Sequence, residues 1–219
     1  MFVFKAGVVG AGVMGGEIAQ VIAAAGIPVV LKDVDAKFVD AGLEKAREVT
    51  QGQVAKLVGK GKLSEEAATA QADRTLELIT GTTSYDEFGD VDFIIEAVPE
   101  KMETKHAVFA ELDAATPGHA ILASNTSGLS ITEIGEATNR PDKVVGFHFF
   151  WPASFMRLIE VIEGDDVHVS LTLEYSLKER SPITPLVDVL FIRRALQSSL
   201  QRTLARFAHE REAELHPPY

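Results

Sequence analysis

The 219-residue chain contains no cysteine, which excludes disulfide frameworks, cysteine-ligated zinc, iron–sulfur clusters and thiol nucleophiles. Its chemistry must use His, Ser, Asp, Glu or Lys, or a cofactor, and no metal site is expected. Positive charge is scarce as well: 21 Lys and Arg stand against 32 Asp and Glu, a formal net charge of -11. A nucleic-acid surface, which needs clustered cations, is thereby excluded. Long hydrophobic runs are missing too, since Ile18 to Leu31 is interrupted by Gln20, Gly26 and Pro28 and cannot make an unbroken membrane span. No charged, apolar and small-residue cleavage pattern opens the chain. The expectation is a cytoplasmic protein with neither membrane nor nucleic acid as partner. Asparagine occurs only at Asn125 and Asn139, tryptophan only at Trp151, and all 17 glycines lie between Gly7 and Gly164. The loss of glycine marks a boundary near residue 165.

What is present is an alternation of short apolar runs with helical periodicities. Gly7–Val9 reads as a strand, Met14–Ala25 as a helix and Pro28–Leu31 as a second strand, together a βαβ unit of about thirty residues. Helical spacing over Ala36–Leu57, a break at Gly59-Lys60-Gly61 and a capped start at Ser64 predict a helical hairpin standing out from the sheet. Further strands are expected at Leu76–Ile79, Val91–Val98, Ala120–Ala123 and Val144–Phe150, with helices at Met102–Ala115 and Ile131–Ala137. The second of these helices follows the capping-box pattern Ser130-Ile131-Thr132-Glu133. The alternation predicts an α/β fold, a doubly wound Rossmann-type parallel sheet over residues 1–165. Residues 166–219 read as a short helical tail, with one amphipathic helix over about Leu186–His209.

Gly10-Ala11-Gly12-Val13-Met14-Gly15 fits G-x-G-x-x-G, follows the first strand and opens the first helix, and its Val13 and Met14 count with the three glycines as cofactor-binding. In that setting the first glycine permits a tight turn, the second lets the backbone approach a pyrophosphate, and the third allows close packing of helix on strand. Asp33 lies eighteen positions beyond Gly15, at the end of the second strand, where a carboxylate can accept bonds from both adenosine ribose hydroxyls. A carboxylate there repels a ribose phosphate, so the cofactor expected is NAD and not NADP.

A second constellation follows: Ser124-Asn125-Thr126-Ser127-Gly128-Leu129, then Gly146-Phe147-His148-Phe149-Phe150-Trp151-Pro152, then Leu158-Ile159-Glu160-Val161-Ile162. With the glycine loop, these strings resemble the NAD-binding domain of the 3-hydroxyacyl-CoA dehydrogenases over roughly residues 3–165. The resemblance implies NAD-dependent oxidation of L-3-hydroxyacyl-CoA to 3-oxoacyl-CoA, in fatty acid β-oxidation or 3-hydroxybutyryl-CoA metabolism. That reaction needs a group that takes the hydroxyl proton in one direction and returns it in the other, and an imidazole suits both. His148 ends a strand, where open α/β sheets place their crevice, and Glu160 follows in the next apolar segment. If the two segments run back alongside each other, Glu160 orients the imidazole. Ser127 would then bind the reacting C3 oxygen. Glu100 and Lys105 are carried over as lining the NAD site. Lys56, Lys60 and Lys62 at the hairpin tip either contact coenzyme A phosphates or form a solvated turn.

Two departures from the family stand out. Trp151 occupies the place of an Asn that helps hold the cofactor. The motif Pro-Gly-Phe-x-x-Asn-Arg, which opens the family's helical second domain, is missing; Ser181-Pro182-Ile183-Thr184 is at most a loose echo of it. The tail thus reads as the remnant of that domain. Two functions stay open: the dehydrogenase itself, and a non-catalytic NAD-binding module lacking a competent acyl-CoA pocket. A homodimer, or a partner chain that completes the site, fits either.

Overall fold

Strands β1 (Ala6–Val9) and β2 (Val29–Lys32) are buried at every residue, as expected of strands covered on both faces in a parallel sheet. In the computed structural model, which describes residues 3–156, 158–162, 164 and 170–171, they run parallel with Val8 opposite Leu31. Helix α1 (Val13–Ala24) makes the crossover between them. The sheet continues with β3 (Ile79–Thr82), β4 (Phe93–Glu96), β5 (Ile121–Ser124), β6 (Val144–Phe149), β7 (Ile159–Ile162) and β8 (Ser170–Leu171). Its order is β3-β2-β1-β4-β5-β6-β7-β8. The first six strands pair in parallel, and β7 and β8 are antiparallel to their neighbours. This is the doubly wound Rossmann-type order, whose direction of winding reverses between β1 and β4 and places a crevice outside their carboxyl ends.

Alternate residues of each strand face opposite sides, and the sheet therefore has two apolar layers. Val8, Leu31, Ile95 and Ala123 pack with Ile18 and Ala19 of α1. Val9, Val30, Ile94 and Leu122 pack on the other face with Phe109 and Leu112 of a core helix, and with Ile131 and Ile134 further along the chain. That core helix runs over Met102–Ala115, and Ile131–Gly135 forms a short helix beyond β5. Each fully buried Leu, Ile or Phe contributes about 1.5–3 kcal/mol.

The helical hairpin consists of α2 (Ala36–Gly59) and α3 (Glu65–Glu77); the core helix Met102–Ala115 is accordingly α4, and Ile131–Gly135 is α5. Asp35 caps α2 by accepting from the Lys37 amide at 3.0 Å, and Ser64 caps α3 by accepting from the Ala67 amide at 3.2 Å. The strand expected at Leu76–Ile79 is corrected: α3 runs through Glu77, and β3 begins at Ile79. A four-residue apolar run does not distinguish the last turn of a helix from a strand. The helix expected to reach Ala137 stops at Gly135. The sheet extends past residue 165 to take in Ser170–Leu171, and the tail helix expected at Leu186–His209 lies outside the described residues. Among the described residues, no helix is long and apolar enough to cross a membrane, and no three potential ligands cluster to hold a metal.

Candidate active site

Three loops meet at the carboxyl end of the parallel strands. The first joins β1 to α1. Gly10 has φ +100°, and a Cβ built there would lie 2.6 Å from the Ala97 carbonyl in the loop after β4, so only glycine allows the two loops to touch. A Cβ on Gly15 would fall 1.7 Å from the Gly10 oxygen; helix and turn are in contact there. Gly12, by contrast, faces open space, with no atom within 4 Å of its built Cβ. It is the N-cap of α1, no side chain bonds the cap, and no acidic residue sits in the first turn. An open helix start with unclaimed N–H groups fits a pyrophosphate. Val13 is exposed and Met14 half-buried beside it. Asp33, directly after β2, accepts from the Ala11 amide through Oδ2 and from the Val34 amide through Oδ1, both at 2.7 Å. The carboxylate therefore fastens the glycine loop to the end of β2.

The second loop joins β4 to α4 and holds a buried charge network. Glu96 ends β4 with its side chain 0% exposed, and Lys105 in α4 is 1% exposed. The Lys105 ammonium donates to Glu96 Oε1 at 2.8 Å and to Glu96 Oε2 at 3.0 Å, and forms an ion pair with Glu100 Oε2 at 3.2 Å. The resemblance placed Lys105 on the cofactor wall; in the structure its side chain is buried, with the ammonium against Glu96 and Glu100. Glu96 also accepts from Ser124 Oγ at 2.6 Å and from the Val98 amide at 2.7 Å. Glu100 Oε1 accepts from the Thr126 hydroxyl and from the Ser127 amide. Burial pushes the Glu100 carboxyl up, but the Thr126 hydroxyl, the Lys105 charge and the Ser127 amide together outweigh it and hold the group below the usual glutamate value.

The third loop leaves β5 and carries Ser127, which is exposed. Thr126 Oγ1 accepts from the Gly128 and Leu129 amides at 3.3 and 2.9 Å, shaping the turn around Ser127. Asn125 Oδ1 accepts from the Phe149 amide at 2.8 Å, which ties this loop to the end of β6. There β6 and β7 pair antiparallel with His148 directly opposite Glu160. Nδ1 of His148 lies 3.4 Å from Glu160 Oε2, and the two side chains are 18% and 20% exposed. The Phe150 ring stands 4.8 Å from the imidazole. After it the chain turns through a cis peptide at Trp151-Pro152, and Glu17 of α1 holds the turn by accepting from the amide and hydroxyl of Ser154, each at 3.2 Å.

The strands thus gather the glycine loop, Asp33, Glu100, Ser127, His148 and Glu160 at one end of the sheet. Lys56, Lys60 and Lys62 are exposed at the hairpin tip. Glu96, Ser124, Asn125, Thr126 and Glu17 were assigned no role from sequence, although Ser124, Asn125 and Thr126 stand in the string before Ser127; the available signal was position, since Glu96 and Ser124 each close an apolar strand with a polar residue.

The family described as 3-hydroxyacyl-CoA dehydrogenase, NAD binding domain, matches residues 5–175. The fatty acid oxidation complex subunit alpha of Psychrobacter sp. is 39% identical over 184 residues, covering 84% of this chain and 24% of that protein. The peroxisomal fatty acid beta-oxidation multifunctional protein MFP2 of Arabidopsis thaliana is 40% identical over 170 residues, covering 78% of this chain and 22% of that one. The crystal structure of (S)-3-hydroxybutyryl-CoA dehydrogenase from Ralstonia eutropha superposes with TM-score 0.67 and 36% identity, over 76% of this chain and 56% of that one. The chain spans about a quarter of the length of these curated relatives. On the match, the order of the motifs and the geometry of the three loops, the chain belongs to the 3-hydroxyacyl-CoA dehydrogenase family, as an NAD-binding domain of it.

Proposed function

We propose that the chain binds NAD and carries out the interconversion of L-3-hydroxyacyl-CoA and 3-oxoacyl-CoA. The observation that carries the reading is the direct pairing of His148 with Glu160 across β6 and β7, at the same end of the sheet as the glycine loop. Gly10, Gly12, Val13, Met14 and Gly15 would cradle the pyrophosphate, and Asp33 would turn from the Ala11 amide toward the ribose hydroxyls. When bound, NAD supplies the acceptor for the C3 hydride. With Nδ1 turned to Glu160, Nε2 of His148 is the nitrogen left to take the C3 hydroxyl proton and to return it in the reverse direction. Glu160 stabilises the imidazolium so formed, and Ser127 bonds the reacting oxygen. Glu100, on the lip of the second loop, contributes to the cofactor wall.

A second reading, an NAD-binding module without turnover, is favoured by one observation. Both asparagines of the chain are engaged elsewhere: Asn125 on the Phe149 amide and Asn139 on Asp113. Trp151, 68% exposed, stands in the position where the family carries an amide.

The two readings part in one experiment. Trp151 is the sole tryptophan, so quenching of its fluorescence reports NADH binding, while loss of NADH absorbance with acetoacetyl-CoA reports turnover. The enzyme reading expects both, with kcat reduced about 10²- to 10⁴-fold in His148→Ala and NADH affinity retained. Quenching without turnover would establish the binding module.

A further inference from the structure

Resting on that proposed function, we infer that Thr126 and Glu96 are positioning residues, which set Ser127 for the reacting oxygen through a relay from Glu96 to Lys105, to Glu100 and to the Ser127 turn. Each link is a direct polar contact: Glu96 accepts from Lys105 with both oxygens, Lys105 forms an ion pair with Glu100, and Glu100 accepts from both the Thr126 hydroxyl and the Ser127 amide. Thr126 then fixes the Gly128 and Leu129 amides, so both flanks of Ser127 are restrained. At its inner end the relay is anchored on β4 and β5, because Glu96 also takes Ser124 Oγ and the Val98 amide.

Stability alone is a poor reason for such a relay. A buried ion pair costs about as much in desolvation as it returns, and apolar residues of the same volume do as well or better. What apolar residues lack is direction. Here four acceptor bonds on Glu96, with two donor bonds and an ion pair on Lys105, orient both groups, and among the described residues the network reaches solvent at Glu100, 43% exposed, beside exposed Ser127. The depressed carboxyl of Glu100 agrees with a group kept ionised to hold the turn.

Thr126→Val keeps the shape and removes the hydroxyl, and Thr126→Ser restores it. The expected result is a fall in kcat of about 10- to 100-fold for Thr126→Val, as for a misplaced contact group, with the NADH affinity read from Trp151 fluorescence held within about twofold and Thr126→Ser close to wild type. Unchanged kcat in Thr126→Val, an equal loss of NADH affinity, or no recovery in Thr126→Ser would overturn the relay. Hydrogen exchange at the Ser127 amide is independent of turnover: Thr126→Val and Glu96→Gln should both accelerate it, and Thr126→Ser should not. Should the wild type bind NADH without turnover, the enzymatic reading fails, and the exchange measurement alone decides the relay; unaltered exchange would end it.

Discussion

Two acid–base pairs lie at the same end of the sheet under opposite conditions. Lys105 and Glu96 are 1% and 0% exposed and are held at 2.8 Å; His148 and Glu160 are 18% and 20% exposed and stand 3.4 Å apart. In the first pair Glu96 accepts four hydrogen bonds and Lys105 faces three carboxylate oxygens, so neither group can be moved without breaking the network. In the second, one imidazole nitrogen has no partner among the described residues, both groups are partly exposed, and the contact is longer. Burial and saturation suit the first pair to a strut, while partial exposure suits the second to the proton transfer proposed for it. Lys105 and His148 are both basic residues near carboxylates in the sequence, and only the surroundings separate their roles.

The contrast is broken most severely by Lys105→Met. Glu96 and Glu100 would then face each other without a cation, and removing one partner of a buried pair costs about 3–5 kcal/mol. For a chain of this size the melting temperature should drop about 6–20 °C, measured by thermal unfolding. Adding Glu96→Gln to that variant should recover much of the loss, since the uncompensated charge is gone. Were Lys105→Met to melt like the wild type, the buried pair would not be a strut.

A smaller effect, of the opposite kind, is expected from Glu160→Gln. The amide keeps the shape and loses the charge that favours the imidazolium, so kcat should fall on the order of 10- to 100-fold, less than on losing the base itself. Stability should change by under about 1 kcal/mol, as for other partly exposed pairs. Steady-state kinetics and a melting curve on one preparation check both halves. A large loss of stability with kcat preserved would exchange the roles assigned to the two pairs.

How much of this was legible in the sequence follows the same division. The glycine loop and Asp33 are legible because backbone demands select residue types: φ +100° at Gly10 and a 1.7 Å clash for any Cβ at Gly15 leave one residue for each place. His148 and Glu160 could be named from their strings, but their meeting depended on a register, and only the antiparallel return of β7 puts one opposite the other. Lys105 was named for the cofactor wall because a motif specifies an identity and not a direction; its ammonium points inward to Glu96, which a string of letters does not express. The β3 boundary was misplaced for a related reason, since Leu76 and Leu78 are as apolar at a helix end as they would be in a strand.

The smallest expected effect lies at the group between the two pairs. Glu100 belongs to the buried relay through Lys105 and to the open crevice through its own exposure. Burial raises its carboxyl, but Thr126, Lys105 and the Ser127 amide hold it below the usual value in the folded protein. With the folded value depressed, the unfolded chain binds the proton more readily, so the contribution to stability rises with pH across that window. It is complete above the unfolded value of about 4.3 and is lost as pH falls through the folded one. Because the group is exposed, the contribution stays under about 1 kcal/mol. Urea unfolding of wild type and Glu100→Gln should therefore show a small, constant difference between about pH 5 and pH 7 that shrinks on further acidification. A difference independent of pH would mean that the Glu100 charge contributes nothing, and that the rigid pair ends at Lys105 without reaching the crevice.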